Sequence, residues 1–196
     1  MARDHDWTEG ILDNVSIRGA IDFARRWHRT SWAIVTLPRD LGVWTTTRDV
    51  PPDALGACLV IGRHRGISLN ERLLGTRGLV PALAHECGHL FQPAGIGLCR
   101  SSVQVSRRER EAWWIASILA VPLDAVHHVK LFGDSSGIVA RQLELPRPLV
   151  LMRRGVAQLM GEVPSRPHDH GRLMLESATL AMQLWVARFS QQLAEG

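Results

Sequence analysis

The chain has 196 residues, 45% of them hydrophobic and 21% charged, which fits one domain with a sizeable core and excludes an intrinsically disordered protein. No apolar run approaches the roughly 20 residues of a membrane span, MARDHDWTEG carries no signal-peptide stretch, and Cys58, Cys87 and Cys99 show no paired pattern, so the expectation is a cytoplasmic protein with no membrane contact and no disulfide scaffold. The net charge of +4 is almost all arginine, Lys130 being the only lysine, and reads first as a solvated surface, with an acidic or nucleic-acid partner as the alternative.

Residues 14–29 space Val15, Ile17, Ile21, Phe23, Ala24 and Trp27 at near-helical intervals and predict a helix. SWAIVTLP (31–38) reads as a strand ended by Pro38, with LGVWTTT (41–47) as its neighbour. Prolines make 48–56 a loop. ACLVIGRHRGISLN (57–70) reads as two strands around a tight turn near Arg63–Gly66. The pattern then turns helical. A helix is expected over 76–91, with Pro81 tolerable only in its first turn. A glycine-containing loop follows over 92–102, then a strong helix over 106–120 stopped by Pro122. Short helices are expected over 122–132 and 136–161, the latter broken at Leu145-Pro146-Arg147-Pro148. A linker over 161–171 leads to an amphipathic helix over 172–195. The expected organisation is an N-terminal helical segment (1–30), a core (31–135), a helical region (136–160), and a linker with the terminal helix (161–196).

Within the 76–91 helix lies His85-Glu86-Cys87-Gly88-His89. Residues four apart share a helix face, so both histidines can direct neutral imidazoles at one zinc ion. Glu86 sits about 100° round the helix, off the ligand line but close enough to take a proton from an attacking water and pass it to a leaving amine. That division of labour suits hydrolysis. The bland alternative is a surface helix with two solvated histidines. Against it stand Leu83, Ala84, Cys87 and Leu90, apolar neighbours among which unpartnered polar groups are costly.

A catalytic zinc needs a third protein ligand and an open position. The next helix offers Glu109 and Glu111. Glu109 lines up with Ala112, Ala116 and Leu119, the small apolar face expected to pack inward; Glu111 lines up with Ile115, Ile118 and Pro122. Spacing favours Glu109 without deciding between them, and either carboxylate could instead pair with Arg107, Arg108 or Arg110.

Leu83-Ala84-His85-Glu86-Cys87-Gly88-His89, followed by Glu109-Arg110-Glu111-Ala112 and a helix running to Pro122, resembles the ImmA/IrrE family of metallopeptidases over roughly residues 30–155. GISLN (66–70) is similar to that family's strand leading into the first helix. The resemblance implies Glu109 as third ligand, giving a gluzincin-type site of His85, His89 and Glu109 with Glu86 as general base. It implies that residues 138–154 form a helix-turn-helix-like region. It also implies a protein substrate, a helix-turn-helix repressor of a mobile element, prophage or stress response, whose cleavage relieves repression. Departures are Trp113, Ile115, Ala120-Val121 and Val80-Pro81-Ala82, positions that bear on packing.

The expected fold is α+β: a small, mostly antiparallel sheet on a helical core, with the zinc site between two helices and a helix-turn-helix-like region after it. The competing reading is a non-catalytic, zinc-stabilised module that regulates a repressor or DNA by contact, with the arginines of 138–154 giving weak nucleic-acid contact. Cys87 is expected to pack in the core, since as a fourth ligand it would close the open position. Cys99 is placed in the loop between the helices as a buried thiol. No tyrosine exists to stabilise a tetrahedral intermediate, and His127-His128 read as a surface pair. His168 and His170 lack a complete site. Leu173, Leu180, Leu184 and Trp185 are expected to form a dimer face or to cover the core.

Overall fold

The computed structural model describes residues 14–30, 33–47, 50–51, 54–93, 95–100, 106–127, 135–164 and 171–195. Helix α1 spans Val15–Thr30. Asn14 starts it, its Oδ1 accepting from the backbone N–H of Ser16 (2.9 Å) and Ile17 (3.1 Å). Ile17, Ala20, Ile21, Ala24 and Trp27 form its buried stripe.

The segment expected to be a first strand is instead a 3-10 turn, Ile34–Thr36, running into the short helix α2, Leu37–Asp40. Two features override its β-type composition. Pro38 lies in the first turn of α2, where its fixed φ favours helix. Asp40 accepts from Trp27 Nε1 (2.9 Å) and Thr36 Oγ1 (3.3 Å), tying the turn to α1.

Strands β1 (Trp44–Thr46), β2 (Ala54–Ile61) and β3 (His64–Leu69) follow. The β2–β3 hairpin is antiparallel, with its turn at Gly62-Arg63 rather than at 63–66. β1 pairs with β3, in parallel, so it has no hairpin partner before it. Trp44 stands opposite Gly66, and its indole fills the space that a Cβ there would take.

The expected loop over 92–102 contains a further strand, β4 (Gly95–Arg100), antiparallel to β2. Its glycines hid it, because Gly95 and Gly97 interrupt the alternation that marks a strand. The sheet order is β1-β3-β2-β4, mostly antiparallel as expected, with the β1–β3 pairing as its parallel exception. Cys99 therefore lies on a strand, registered with Gly56.

Helix α3 spans Leu79–His89, with Pro81 in its first turn, and α4 spans Arg107–Ala120, capped by Ser106 Oγ accepting from Glu109 N–H (3.2 Å). Then come α5 (Leu123–His127), α6 (Ser135–Gln142), α7 (Arg147–Leu159) and α8 (Gly171–Glu195). The turn between α6 and α7 places Glu144 at φ 55° and returns Leu145 N–H to Ala140 O (2.9 Å). α4 packs against α1, α3 and α7, and α7 packs along α8. One buried cluster runs from Ile17 through Ile115, Ile118 and Leu119 to Val186, so the architecture is α+β around a single core. No described helix is long and apolar enough to cross a membrane.

The crossing of α3 and α4 is set by Gly88. A Cβ on Gly88 would lie 2.5 Å from the Ala112 carbonyl oxygen, so the two backbones touch there. Gly88→Ala is expected to lower the unfolding free energy by about 1–3 kcal/mol through overpacking against backbone that cannot yield. Gly19→Ala, facing open space on α1, is the control and is expected to gain up to about 1 kcal/mol. Urea unfolding of both variants checks the contrast, and equal behaviour would remove the close approach as a constraint.

Candidate metal centre

Helical spacing carries His85 and His89 to one face of α3, and packing turns that face onto the first turn of α4. Both histidines are fully buried, as is Glu86. His85 Nε2 lies 3.1 Å from Glu109 Oε2 and 3.2 Å from His89 Nε2, and His89 Nε2 lies 3.4 Å from Glu109 Oε1. The three donor atoms fall within 4.8 Å of one another, the one such His/Cys/Asp/Glu group among the described residues.

The group suits zinc on two counts. Two imidazoles and a carboxylate are the donor types of a catalytic site that keeps a position open. Ligand atoms about 2.0 Å from a tetrahedral ion are about 3.3 Å apart, close to the 3.2 Å between the two imidazole Nε2 atoms, and each imidazole has one Glu109 oxygen within 3.4 Å.

Electrostatics put both partners in the metal-binding protonation state. Burial lowers His85 to about 4, against the opposing hydrogen bond to Glu109, so its imidazole is neutral. Burial pushes Glu109 up, but its hydrogen bond with His85 and the proximity of the second imidazole prevail and hold it at about 2, so it is a carboxylate.

Glu111 has a different task. Its Oε1 accepts from Asn14 Nδ2 (2.8 Å), tying α4 to the capped start of α1. Glu109, with a side chain 21% exposed, turns to the histidines. The ambiguity left by spacing is thus resolved by the neighbour each carboxylate meets.

Glu86 points at the sheet. A Cβ on Gly56 of β2 would lie 2.8 Å from Glu86 Oε1 and 2.9 Å from its Cγ, so the glycine makes the space that the carboxylate occupies. Cys87 is fully buried in the core cluster, outside the group formed by His85, His89 and Glu109, and burial raises its thiol well above the ordinary value. Burial lifts Cys58 likewise, to about 12.

Two contacts escaped the sequence reading. Trp113 places its ring 4.2 Å from that of His85, centroid to centroid, at 39°. Gln92 reaches both His89 and the α4 backbone. Neither has a spacing that marks it; Gln92 comes one turn after His89, beyond the motif. His127 is exposed on α5. His128, His168 and His170 lie outside the described residues. Leu173, Leu180 and Leu184 are each more than half exposed on α8, while Trp185 stacks on Phe189 at 5.0 Å.

The arginines of 138–154 are partly spent inside the fold. Arg153 is buried and donates to Glu162 (2.6 Å), and Arg147 Nε donates to Ser136 Oγ (2.9 Å). No family model, no curated protein and no solved structure matches the chain.

Two expectations follow for the metal-free protein. His85 takes up a proton at about 6.5 when unfolded but only at about 4 when folded, so acid favours the unfolded chain between those values. Glu109 adds to this from about 4.5 down to about 2. Thermal midpoints are therefore expected to fall steadily as pH drops from about 6.5 to 4, and a flat profile there would contradict the buried neutral His85. Separately, Glu109→Gln is expected to abolish tight zinc uptake in equilibrium dialysis. Glu111→Gln, whose amide oxygen can still accept from Asn14 Nδ2, is expected to keep it.

Proposed function

We propose that the chain is a zinc-dependent endopeptidase in which His85, His89 and Glu109 hold the ion and Glu86 is the general base. The observation that carries this reading is the meeting of the two α3 imidazoles with the Glu109 carboxylate at separations of 3.1–3.4 Å, with Glu86 adjacent on the same helix. Zinc, when bound, supplies Lewis acidity to a peptide carbonyl and makes a nearby water acidic enough to act near neutral pH. Glu86, held on a rigid helix against the Gly56 backbone, takes the proton of the attacking water and delivers it to the leaving amine. His85 stays a neutral donor, and Glu109 stays ionised. Trp113 packs its ring on His85, and both imidazoles are fully buried. With no tyrosine in the chain, stabilisation of the tetrahedral intermediate falls to other groups.

The similarity of 83–89 and 109–122 to ImmA/IrrE metallopeptidases supports a cytoplasmic protease whose substrate is a helix-turn-helix repressor, cleaved to relieve repression. The engagement of Arg153 by Glu162 and of Arg147 by Ser136 favours protein over nucleic acid as the partner of the 138–154 region.

One observation favours a second reading, a zinc-stabilised module that binds a repressor without cutting it. His85, Glu86 and His89 are all wholly buried, and a structural site tolerates such closure better than a catalytic one. Glu86→Gln separates the two. On the protease reading, cleavage of a helix-turn-helix repressor substrate drops about 10²–10⁴-fold while zinc content is unchanged, and a chelator stops the wild type. Equal cleavage by both proteins would sink the general-base role. Zinc-dependent melting without any cleavage would favour the binding module.

A further inference from the structure

We infer that Gln92 is a positioning residue of the metal centre, presetting the tautomer of His89 and fixing the two ligand-bearing helices against each other. The inference rests on the zinc reading of His85, His89 and Glu109 and extends it to a side chain outside the five-residue motif.

Gln92 is 6% exposed, and both ends of its amide are engaged. Its Nε2 donates to the Arg108 carbonyl oxygen at 2.7 Å, and its Oε1 faces His89 Nδ1 at 2.8 Å. A carbonyl oxygen only accepts, so the amino end of the amide must face Arg108. The oxygen end is then an acceptor, and His89 Nδ1 must carry the hydrogen. Neutral His89 therefore presents a bare Nε2 toward His85 and Glu109, which is the form that binds a metal. Flipping the amide would set oxygen against oxygen at Arg108.

The same amide also spans the helices. Gln92 follows the end of α3, and Arg108 immediately precedes Glu109 on α4, so one side chain bridges His89 to the residue beside the third ligand. His85 has no equivalent: its Nδ1 is buried without a hydrogen-bond partner among the described residues, and its ring is flanked by Trp113. His89 is thus the preset ligand of the pair. Partners that hold the second nitrogen of a ligating histidine contribute about 10–100-fold in metal affinity.

The first measurement needs no variant. Assigned imidazole nitrogen spectra of the metal-free wild type at pH 8 are expected to show His89 protonated at Nδ1; a bare Nδ1 overturns the inference whatever the metal does. The second compares zinc affinity, by competition with a chromogenic chelator, in wild type, Gln92→Met and Gln92→Glu. Gln92→Met removes both contacts and is expected to bind about 10–100-fold more weakly, with a changed visible spectrum when loaded with Co2+. Gln92→Glu keeps the acceptor for His89 but opposes Arg108, and is expected to recover part of the loss. Wild-type affinity and spectrum in folded Gln92→Met overturn the inference and leave the zinc reading intact. A wild type that takes up neither ion overturns the zinc reading, and the positioning role with it.

Discussion

The contact between Gly88 and the Ala112 carbonyl oxygen is the constraint on which the site depends. Two helices at ordinary spacing stand 8–10 Å apart, with side chains filling the gap. A glycine facing an alanine brings these two backbones into touch, and only then can short reaches from three side chains end at one point. The capping of α4 by Ser106 contributes as well, since it sets Glu109 in the first turn. There the carboxylate also benefits from the positive end of the helix dipole. Packing, capping and charge thus agree on one geometry before any ion is present.

The sheet's part is to support one residue. β2 runs behind α3 with Gly56, Cys58 and Val60 on one side of the strand, and all three are buried. Glu86 uses the space at Gly56. A carboxylate buried against a strand can be placed accurately, and it is shielded from the solvent that would otherwise compete for its contacts. Full burial is also the feature that most strongly distinguishes this pattern from a pair of solvated surface histidines.

The helices were readable because their apolar residues repeat with the helical period and Pro122 marks an end. The pair His85 and His89 was readable because four-residue spacing has one geometric meaning on a helix. The choice of Glu109 over Glu111 was less so: both flanks of α4 are partly apolar, and what separates them is Asn14, 97 residues away from Glu111. Gln92 was invisible for the same reason, its two partners being defined only once α3 and α4 cross. The strand errors have local causes. Residues 34–40 look β-forming by composition, yet Pro38 and the Asp40 contacts favour a tight helical turn. β4 has glycines where alternation was sought. The parallel pairing of β1 with β3 is a long-range choice that no short stretch of chain expresses.

The bond between Asn14 and Glu111 also bears on how the chain is made. α1 hides Ile17, Ile21, Ala24 and Trp27 against a core to which α4 is central. α1 ends at Thr30 and α4 at Ala120, so 120 − 30 = 90 residues separate the completion of the two. At a synthesis rate of about 5–20 residues per second, the apolar stripe of α1 waits roughly 5–20 s for its docking surface. During that interval the helix has no partner on α4, and its polar face, with Arg18, Asp22, Arg25 and Arg29, is what keeps it in water. The charge that reads as ordinary surface in the finished fold is therefore also a solubility device for an unfinished one.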